Sequence, residues 1–148
     1  MMRLNIGCGR KEKWVEGFEG VDKINHGQKY VFDVEKSWPL TNNLIDEIYS
    51  SHCLEHIKNI NYFMREMWRT MKPNAIATII VPYYRWEGSF RDPSHCRFFT
   101  ENTFNYFNKE YAGKVDYDME YEYDFQIVNW EIINLRREIK CQLKAIKD

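Results

Sequence analysis

The chain of 148 residues is predicted to fold as a three-layer α/β domain around a mostly parallel β-sheet. Its first half contains short apolar segments that each stop at a small or acidic residue, as parallel strands do when their carboxyl ends line a crevice. An amphipathic helix and a near-continuous apolar strand follow, and the tail has the pattern of an antiparallel hairpin. Because there is no repeat, low-complexity tract or linker, residues 1–148 are expected to form one domain.

The composition excludes several classes of protein. Hydrophobic residues make up 44% of the chain and aromatic residues 16%, which suffices for a packed core and is not typical of disorder. The formal net charge of -1 provides no general attraction to nucleic acid or to an anionic membrane. No apolar run approaches the roughly 20 residues that span a bilayer, and MMRLNIGCGR has no signal-peptide pattern.

The four cysteines bear on the redox compartment. They stand at positions 8, 53, 96 and 141, far apart and in no C-x-x-C pair. This spacing favours reduced thiols over a disulfide framework or a zinc ribbon. A cytoplasmic protein is therefore expected.

Four strands are predicted in the first third of the chain, each with apolar residues that give way to a turn. In a parallel sheet their carboxyl ends lie along one edge, where ligands bind. The predicted strands are residues 4–6, 18–21, 30–32 and 44–49, which end at Gly7, Asp22, Asp33 and Ser50.

A long helix is predicted after the fourth strand. Ser51 is its expected N-cap, and Lys72-Pro73-Asn74 ends it. Residues 75–81, AIATIIV, then have the apolar pattern of a strand covered on both faces. At 100° per residue the apolar side chains of the helix form one stripe, which consists of Cys53, Ile57, Ile60, Met64, Met67, Trp68 and Met71.

The remainder of the chain is predicted to contain a loop, a short helix and a hairpin. Residues 83–96 are loop-like, and a helix start at Thr100 leads to an apolar face that continues to about Tyr111. Residues 125–135 and 138–146 have the pattern of two antiparallel strands.

A glycine turn and two acidic residues indicate a nucleoside-bearing ligand. Gly7 and Gly9 follow a strand and allow the backbone to approach a ligand closely, although Glu12 occupies the third position of the G-x-G-x-x-G fingerprint. Asp22 ends the second strand, where a carboxylate can accept hydrogen bonds from both ribose hydroxyls. Asp33 ends the third strand and could meet the exocyclic amine of a base. Either aspartate alone could simply close a strand, but their combination with the glycine turn favours a cofactor.

Several segments occur together in a consistent order. They are LNIGCGR, GVD, DVEKSWPLTNNLIDEIYSSHCLEHI and FMREMWRTMKPNAIATIIVPYY, followed by DPSHCRFFTENTF at residues 92–104. From about Leu4 to Tyr84 the sequence resembles the small class I S-adenosylmethionine-dependent methyltransferases, and most of all their type 11 branch. The last segment is similar to one found in a subgroup of the same family.

The resemblance implies a Rossmann-like sandwich with a seven-stranded sheet, an antiparallel last strand and S-adenosylmethionine as cofactor. The glycine turn would then face the methionine part and the ribose, and Asp22 would bind the ribose hydroxyls. Asp33 and Val34 would lie at the adenine, and Ser51 and His52 on the methyl and substrate side. The implied cofactor-binding residues are Asn5, Gly7, Cys8, Gly9, Asp22, Asp33, Val34 and Ser51.

The sequence departs from the family pattern in two ways. Asn5 stands where an acidic residue is common. Only 12 residues separate Gly9 from Asp22, and 10 separate Asp22 from Asp33. Because parallel strands normally need a crossover of a dozen or more residues, the first two helices are expected to be shortened or missing. The cofactor would then be open to solvent unless a partner covers it.

Two histidines are candidate general bases for an oxygen or nitrogen acceptor. His52 follows the fourth strand, and His95 lies in the loop after the fifth. Histidine titrates near neutrality, so either could remove the acceptor's proton during methyl transfer. The alternative is that each only packs or hydrogen-bonds locally. The sequence favours a small molecule or a glycan as the acceptor.

The stretch His52-Cys53-Leu54-Glu55-His56 also fits the H-x-x-E-H pattern of a zinc-peptidase class. Such an enzyme needs this pattern inside a longer helix and a distant third ligand, whereas here it follows a strand directly. No metal is therefore predicted. A zinc hydrolase, or a zinc site with His95 or Cys96 as a further ligand, stays an alternative.

The loop after the fifth strand is aromatic and cationic, which would suit a sugar ring, an aromatic acceptor or an anion. It could equally form a homo-oligomer interface. The second functional hypothesis is a reduced domain that binds the cofactor or assembles with a partner without transferring a methyl group, and the expected loss of helices and of a substrate-cap domain motivates it. The residues concerned are Tyr83, Tyr84, Arg85, Trp86, Arg91 and Arg97.

Overall fold

A seven-stranded β-sheet organises the chain in the computed structural model, which describes residues 1–115 and 122–148. The α-helices are α1 (Ile60–Thr70), α2 (Gly88–Arg91) and α3 (Lys109–Lys114), and 3-10 turns occupy Lys11–Lys13, Leu54–His56 and Thr103–Phe107. The strands are β1 (Arg3–Ile6), β2 (Glu19–Asp22), β3 (Tyr30–Val31), β4 (Ile45–Ser51), β5 (Met71–Pro82), β6 (Phe125–Ile133) and β7 (Glu138–Ala145).

The strands lie in the order β3-β2-β1-β4-β5-β7-β6. All pairs from β3 to β5 are parallel, and β7 is antiparallel to both β5 and β6. This confirms the predicted mostly parallel sheet with an antiparallel C-terminal hairpin. Because the chain moves outward from β1 to β3 and then returns to β4, the strand order reverses between β1 and β4. Ligands bind beyond the carboxyl ends of strands at such a reversal.

The first two crossovers are short, as expected. A single 3-10 turn connects β1 to β2, and the described residues between β2 and β3 contain no helix. The buried side chain of Gln28 occupies that second connection, where its Nε2 donates to the carbonyl of Ile24 at 2.9 Å and lies 3.3 Å from those of Asp22 and Tyr30. The side-chain amide of Gln28 thus stabilises the connection between β2 and β3, which contains a turn in place of a crossover helix.

The predicted helix from Ser51 is wrong in its first part. Ser51 remains in β4, and His52 leaves the strand in the left-handed region with φ 54. Since this conformation cannot continue into a right-handed helix, a 3-10 turn comes first and α1 begins eight residues later. Its N-cap is Asn59, whose Oδ1 accepts a hydrogen bond from the amide of Tyr62 at 3.0 Å.

The core lies on both sides of the central strands. Ile6, Ile48 and Ile79 are fully buried in β1, β4 and β5, and Phe63 and Met67 of α1 pack against them with no exposed surface. Burial of one such side chain contributes about 1.5–3 kcal/mol. No helix in the described parts of the chain is long and apolar enough to cross a membrane.

Candidate functional site

A cavity of about 570 Å³ opens at the carboxyl ends of β1, β2 and β4, where the strand order reverses. Its volume falls in the range of roughly 300–1,000 Å³ that is typical of small-molecule sites. It is lined by Gly7, Asp22, Lys23, Asp33, Val34, Glu35, His52, Cys53, His56, Ile57, Lys58, Pro93, Ser94 and Cys96.

The glycine turn after β1 forms one side of this cavity. Gly7 has φ +68, and a β-carbon there would lie 2.7 Å from Sγ of Cys53. Gly9 has φ +59, and its carbonyl accepts a hydrogen bond from Nε1 of Trp14 at 3.0 Å. Both the left-handed backbone and the close approach of Cys53 therefore require glycine at position 7.

Asp22 connects the glycine turn to the end of β2. Its Oδ2 accepts a hydrogen bond from the amide of Gly9, and its Oδ1 one from the amide of Ile24, both at 3.0 Å. A carboxylate has about four lone pairs, so each oxygen can accept one more donor. The carboxylate is thus oriented by the backbone and still able to bind a pair of hydroxyls.

Asp33 and Val34 form the adjoining wall. Oδ1 of Asp33 accepts from the amide of Glu35 at 3.0 Å, and the carbonyl of Val34 accepts from Nε1 of the buried Trp38 at 3.0 Å. Glu35 in turn accepts a hydrogen bond from the amide of Lys58 at 2.6 Å. These contacts join the loop after β3 to the segment before α1.

The structure brings together half of the residues predicted for the site. Gly7, Asp22, Asp33, Val34 and His52 line the cavity. The amide of Gly9 donates a hydrogen bond to Asp22. Cys8 is buried under the turn, where burial and the nearby Asp22 carboxylate raise the pKa of its thiol. The predicted residues that do not line the cavity are Asn5, Cys8, Gly9, Ser51 and His95.

His52 lies at the cavity between two carboxylates. Its Nε2 contacts a carboxylate oxygen of Glu138, and its Nδ1 lies 3.2 Å from Oε1 of Glu55. The contact with Glu55, opposed by burial and supported by Glu138, raises the pKa of His52 to about 9. A protonated ring with both nitrogens facing carboxylates has no free lone pair, so this geometry does not support the predicted general-base role.

His95 lies behind the cavity wall. Its side chain is only 9% exposed, and Nδ1 is 2.9 Å from the carbonyl oxygen of Ser89. The ring packs edge-on against that of His56, with centroids 4.9 Å apart. Since His95 does not line the cavity, its position does not support a general-base role.

The zinc alternative combined His52 with His56, but His52 is not in the group of potential ligand atoms that converges in the described part of the chain. Because His52 turns toward Glu138, it does not converge with His56. In the described part of the chain, one group of potential ligand atoms does converge: those of Glu55, His56 and His95 lie within 4.8 Å of one another. Both oxygens of the buried Glu55 carboxylate lack a hydrogen-bond partner.

Nine cavity residues were not among the predicted cofactor-binding or catalytic residues, and of these only His56 and Cys96 had been considered, as possible zinc ligands. They come from loops that meet only in the folded chain, so no local pattern predicts their proximity. They are Lys23, Glu35, Cys53, His56, Ile57, Lys58, Pro93, Ser94 and Cys96.

The aromatic and cationic loop is less exposed than predicted. Tyr83 is fully buried and contacts Glu101 through its hydroxyl, and Nε of Arg97 donates to the carbonyl of Ile57 at 2.9 Å. The exposed aromatic rings in this region are Phe90 and Phe98, which stack with centroids 4.6 Å apart and are 58% and 45% exposed.

Comparison with known families gives one match. A family model described as a methyltransferase domain, of type 11, matches residues 6–79, which are 74 of the 148 residues. The matched part begins at the last residue of β1 and includes β2 to β4, α1 and the glycine turn with Asp22 and Asp33. No curated protein sequence matches the chain.

Many solved structures share the fold. A chain in the complex between the Haloferax volcanii Trm112 methyltransferase activator and a methyltransferase superposes with a TM-score of 0.71 at 11% identity, covering 99% of this chain and 83% of that one. The [4+2]-cyclase SpnF gives 0.71 at 13% identity, with 99% and 75% covered. The Burkholderia thailandensis 1,6-didemethyltoxoflavin-N1-methyltransferase, with bound S-adenosylhomocysteine, gives 0.65 at 14% identity, with 99% and 71% covered.

Proposed function

This chain belongs to the methyltransferase domain family, and from that premise we propose that it transfers a methyl group from S-adenosylmethionine to an oxygen or nitrogen of a small-molecule or glycan-type acceptor. The observation that carries the proposal is the position of Asp22. Its carboxylate lies at the strand-order reversal, is oriented by the amide of Gly9, and keeps free acceptor capacity toward the cavity.

The cavity offers a place for each part of the cofactor. Asp22 would accept hydrogen bonds from the two ribose hydroxyls, and Asp33 with Val34 would hold the adenine. Gly7 lines the cavity, and its turn would face the methionine part. The lining carries the carboxylates of Asp22, Asp33 and Glu35 and also the cations Lys23, Lys58 and His52, so binding depends on the placement of individual groups and not on a net charge of the cavity.

The cofactor supplies an already activated methyl group when it is bound. Transfer of this group would leave S-adenosylhomocysteine, and the acceptor's proton would be released to solvent. The chain therefore acts mainly by holding the two reactants in line. Both nitrogens of His52 face carboxylates, so His52 is a charged part of the cavity wall in this mechanism.

Calorimetric titration with S-adenosylmethionine and S-adenosylhomocysteine tests the proposal. The protein should bind both, and Asp22→Ala should weaken binding about 10- to 100-fold through loss of charge-assisted hydrogen bonds. Asp46→Ala is the matched control, since Asp46 pairs with Lys72 near the amino end of β4, away from the cavity. Absence of binding, or equal affinity in the Asp22 variant, would overturn the assignment.

Cofactor binding alone does not establish the reaction, because a [4+2]-cyclase has the same fold. Release of S-adenosylhomocysteine in the presence of a panel of hydroxyl and amine acceptors measures methyl transfer directly. Binding without release for any acceptor class would favour the second candidate, a cofactor-binding domain that assembles with a partner. The exposed stack of Phe90 and Phe98 supports that candidate. Light scattering of the protein and of its Phe90→Ser variant would show whether the stack joins copies of this chain.

A further inference from the structure

We infer that Glu55, His56 and His95 form a binding site for one divalent transition-metal ion of the Zn²⁺ type, in the wall of the cavity. The three residues come from two segments about 40 positions apart. The 3-10 turn after β4 supplies Glu55 and His56, and the loop after α2 supplies His95. This inference does not depend on methyl transfer.

The carboxylate of Glu55 is the first observation. The residue is 1% exposed, and neither Oε1 nor Oε2 has a hydrogen-bond partner. Nδ1 of His52 lies 3.2 Å from Oε1, but outside hydrogen-bonding geometry, and no contact of this kind reaches Oε2. The charged His52 ring offsets part of the cost of burying this carboxylate, and both oxygens, which have no hydrogen-bond partner, remain available to coordinate a metal ion.

The hydrogen bonds of the two histidines are the second observation. Nδ1 of His95 lies 2.9 Å from the carbonyl oxygen of Ser89, and Nδ1 of His56 lies 3.2 Å from that of Ser94. A carbonyl oxygen only accepts, so both Nδ1 atoms must carry the proton. In the tautomer with the proton on Nδ1, Nε2 carries the lone pair of the ring. Metal-binding histidines are held in the same way, by a hydrogen bond from the second ring nitrogen.

The hydroxyl of Ser94 extends this arrangement. It donates to Oδ1 of Asp92 at 2.6 Å, and its oxygen lies 3.1 Å from Nδ1 of His56. Asp92 therefore holds Ser94 in an orientation in which the hydroxyl accepts from His56. Asp92, the hydroxyl of Ser94 and His56 thus form one chain of hydrogen bonds, which orients the His56 ring before any ion binds.

The ligand atoms lie farther apart than in an occupied site, so they must move closer together when the ion binds. Nε2 of His56 lies 3.9 Å from Oε1 of Glu55, and all three ligand atoms lie within 4.8 Å of one another. Bond lengths of about 2.0–2.2 Å in a tetrahedral Zn²⁺ site place ligand atoms roughly 3.3–3.5 Å apart. Small side-chain movements suffice. Three protein ligands leave a fourth position for water or for a heteroatom of a molecule in the cavity, which His56 lines.

Titration of the full chain with Zn²⁺ after treatment with a chelator tests the inference, with calorimetry and elemental analysis as readouts. We expect one ion per chain. Glu55→Gln and His95→Ala should each weaken binding more than about tenfold. His56→Ala provides a third variant at a more exposed position, in case a buried substitution prevents folding. Zn²⁺ should also raise the Tm of the unsubstituted chain, because it binds the folded state.

Control variants distinguish this site from others. His26→Ala, at a histidine outside the cavity, should bind Zn²⁺ as the unsubstituted chain does. Cys96→Ser should also retain binding, because Sγ of Cys96 lies 3.4 Å from the carbonyl of Ile57 and is not one of the converging atoms. Failure to bind a stoichiometric ion, or unchanged affinity in the Glu55 and His95 variants, would overturn the inference. Loss of binding in Cys96→Ser would overturn the assigned ligand set.

Discussion

Gly7 and Cys53 approach so closely that a β-carbon on Gly7 would lie 2.7 Å from Sγ of Cys53 and 2.8 Å from its Cβ. The two residues follow β1 and β4, the neighbouring strands between which the strand order reverses. The close approach shapes the wall of the cavity at this point, because any side chain at position 7 would push the two strand ends apart.

Gly7→Ala should therefore destabilise the fold by about 2–4 kcal/mol, since it adds a steric overlap to the strain of φ +68. Urea denaturation measures the change. Gly27→Ala is the matched control: its φ is +91 and its β-carbon would meet nothing within 4 Å, so it reports the backbone strain alone. The double variant Gly7→Ala/Cys53→Gly should lose less stability than the sum of the losses measured in the two single variants. Strict additivity would show that Cys53 is not the obstacle.

The ion pair between Glu66 and Arg69 should make the stability of the fold depend on pH. Glu66 is buried, accepts two hydrogen bonds from Arg69 at 2.8 and 2.9 Å, and accepts one from the amide of Trp38 at 2.9 Å. The Arg69 guanidinium holds the pKa of this carboxyl below its ordinary value of 4.5. A carboxyl group whose pKa is lowered by folding stabilises the folded state at pH values above its unfolded-state pKa. This contribution is lost as the pH falls through the folded-state pKa.

Glu66→Gln should accordingly lower the free energy of unfolding by about 2 kcal/mol at pH 7. The difference in the free energy of unfolding between Glu66→Gln and the unsubstituted chain should shrink below pH 4.5. Chemical denaturation across this pH range provides the measurement. Glu110→Gln, which breaks an exposed pair with Lys114, should change stability little at any pH. A constant difference for Glu66→Gln down to pH 2.5 would contradict the proposed cause.

The cysteines should differ in reactivity. Burial raises the pKa of the thiols of Cys53 and Cys141 to about 12, and that of Cys8 is raised as well. Cys96 is exposed. Because the thiolate is the nucleophile, iodoacetamide at pH 8 should label Cys96 in the native chain and all four cysteines only after denaturation. Peptide mapping by mass spectrometry identifies the sites, and native labelling of Cys141 would contradict the described packing.

The N-cap of α1 can be tested directly. Asn59→Ala should cost about 1 kcal/mol, because the amide of Tyr62 loses the acceptor that it now has at 3.0 Å. Asn59→Asp should keep most of the stability, since its carboxylate can accept the same hydrogen bond. Thermal unfolding compares the variants. Equal stability of Asn59→Ala and the unsubstituted chain would show that the cap contributes nothing.

Local sequence patterns predicted the order and type of most strands. Apolar segments that end at Gly7, Asp22 and Asp33 are local features, and a parallel sheet brings such ends to one edge whatever the details of packing. The two short connections likewise predicted the missing helices, because a chain of 10 or 12 residues cannot hold a full crossover helix. The pairing of the C-terminal hairpin followed from its alternating pattern in the same way.

Tertiary structure decided what the histidines contact. His52 meets Glu138, 86 residues away, because β7 inserts beside β5 and turns its first residue toward the end of β4. His95 meets His56 and Glu55 because the loop after α2 folds back over the 3-10 turn. Such contacts depend on strand order and loop path, which no periodicity records. The sequence by itself thus determined which strand ends meet at the cavity, and only the fold decided which side chains there are paired or grouped.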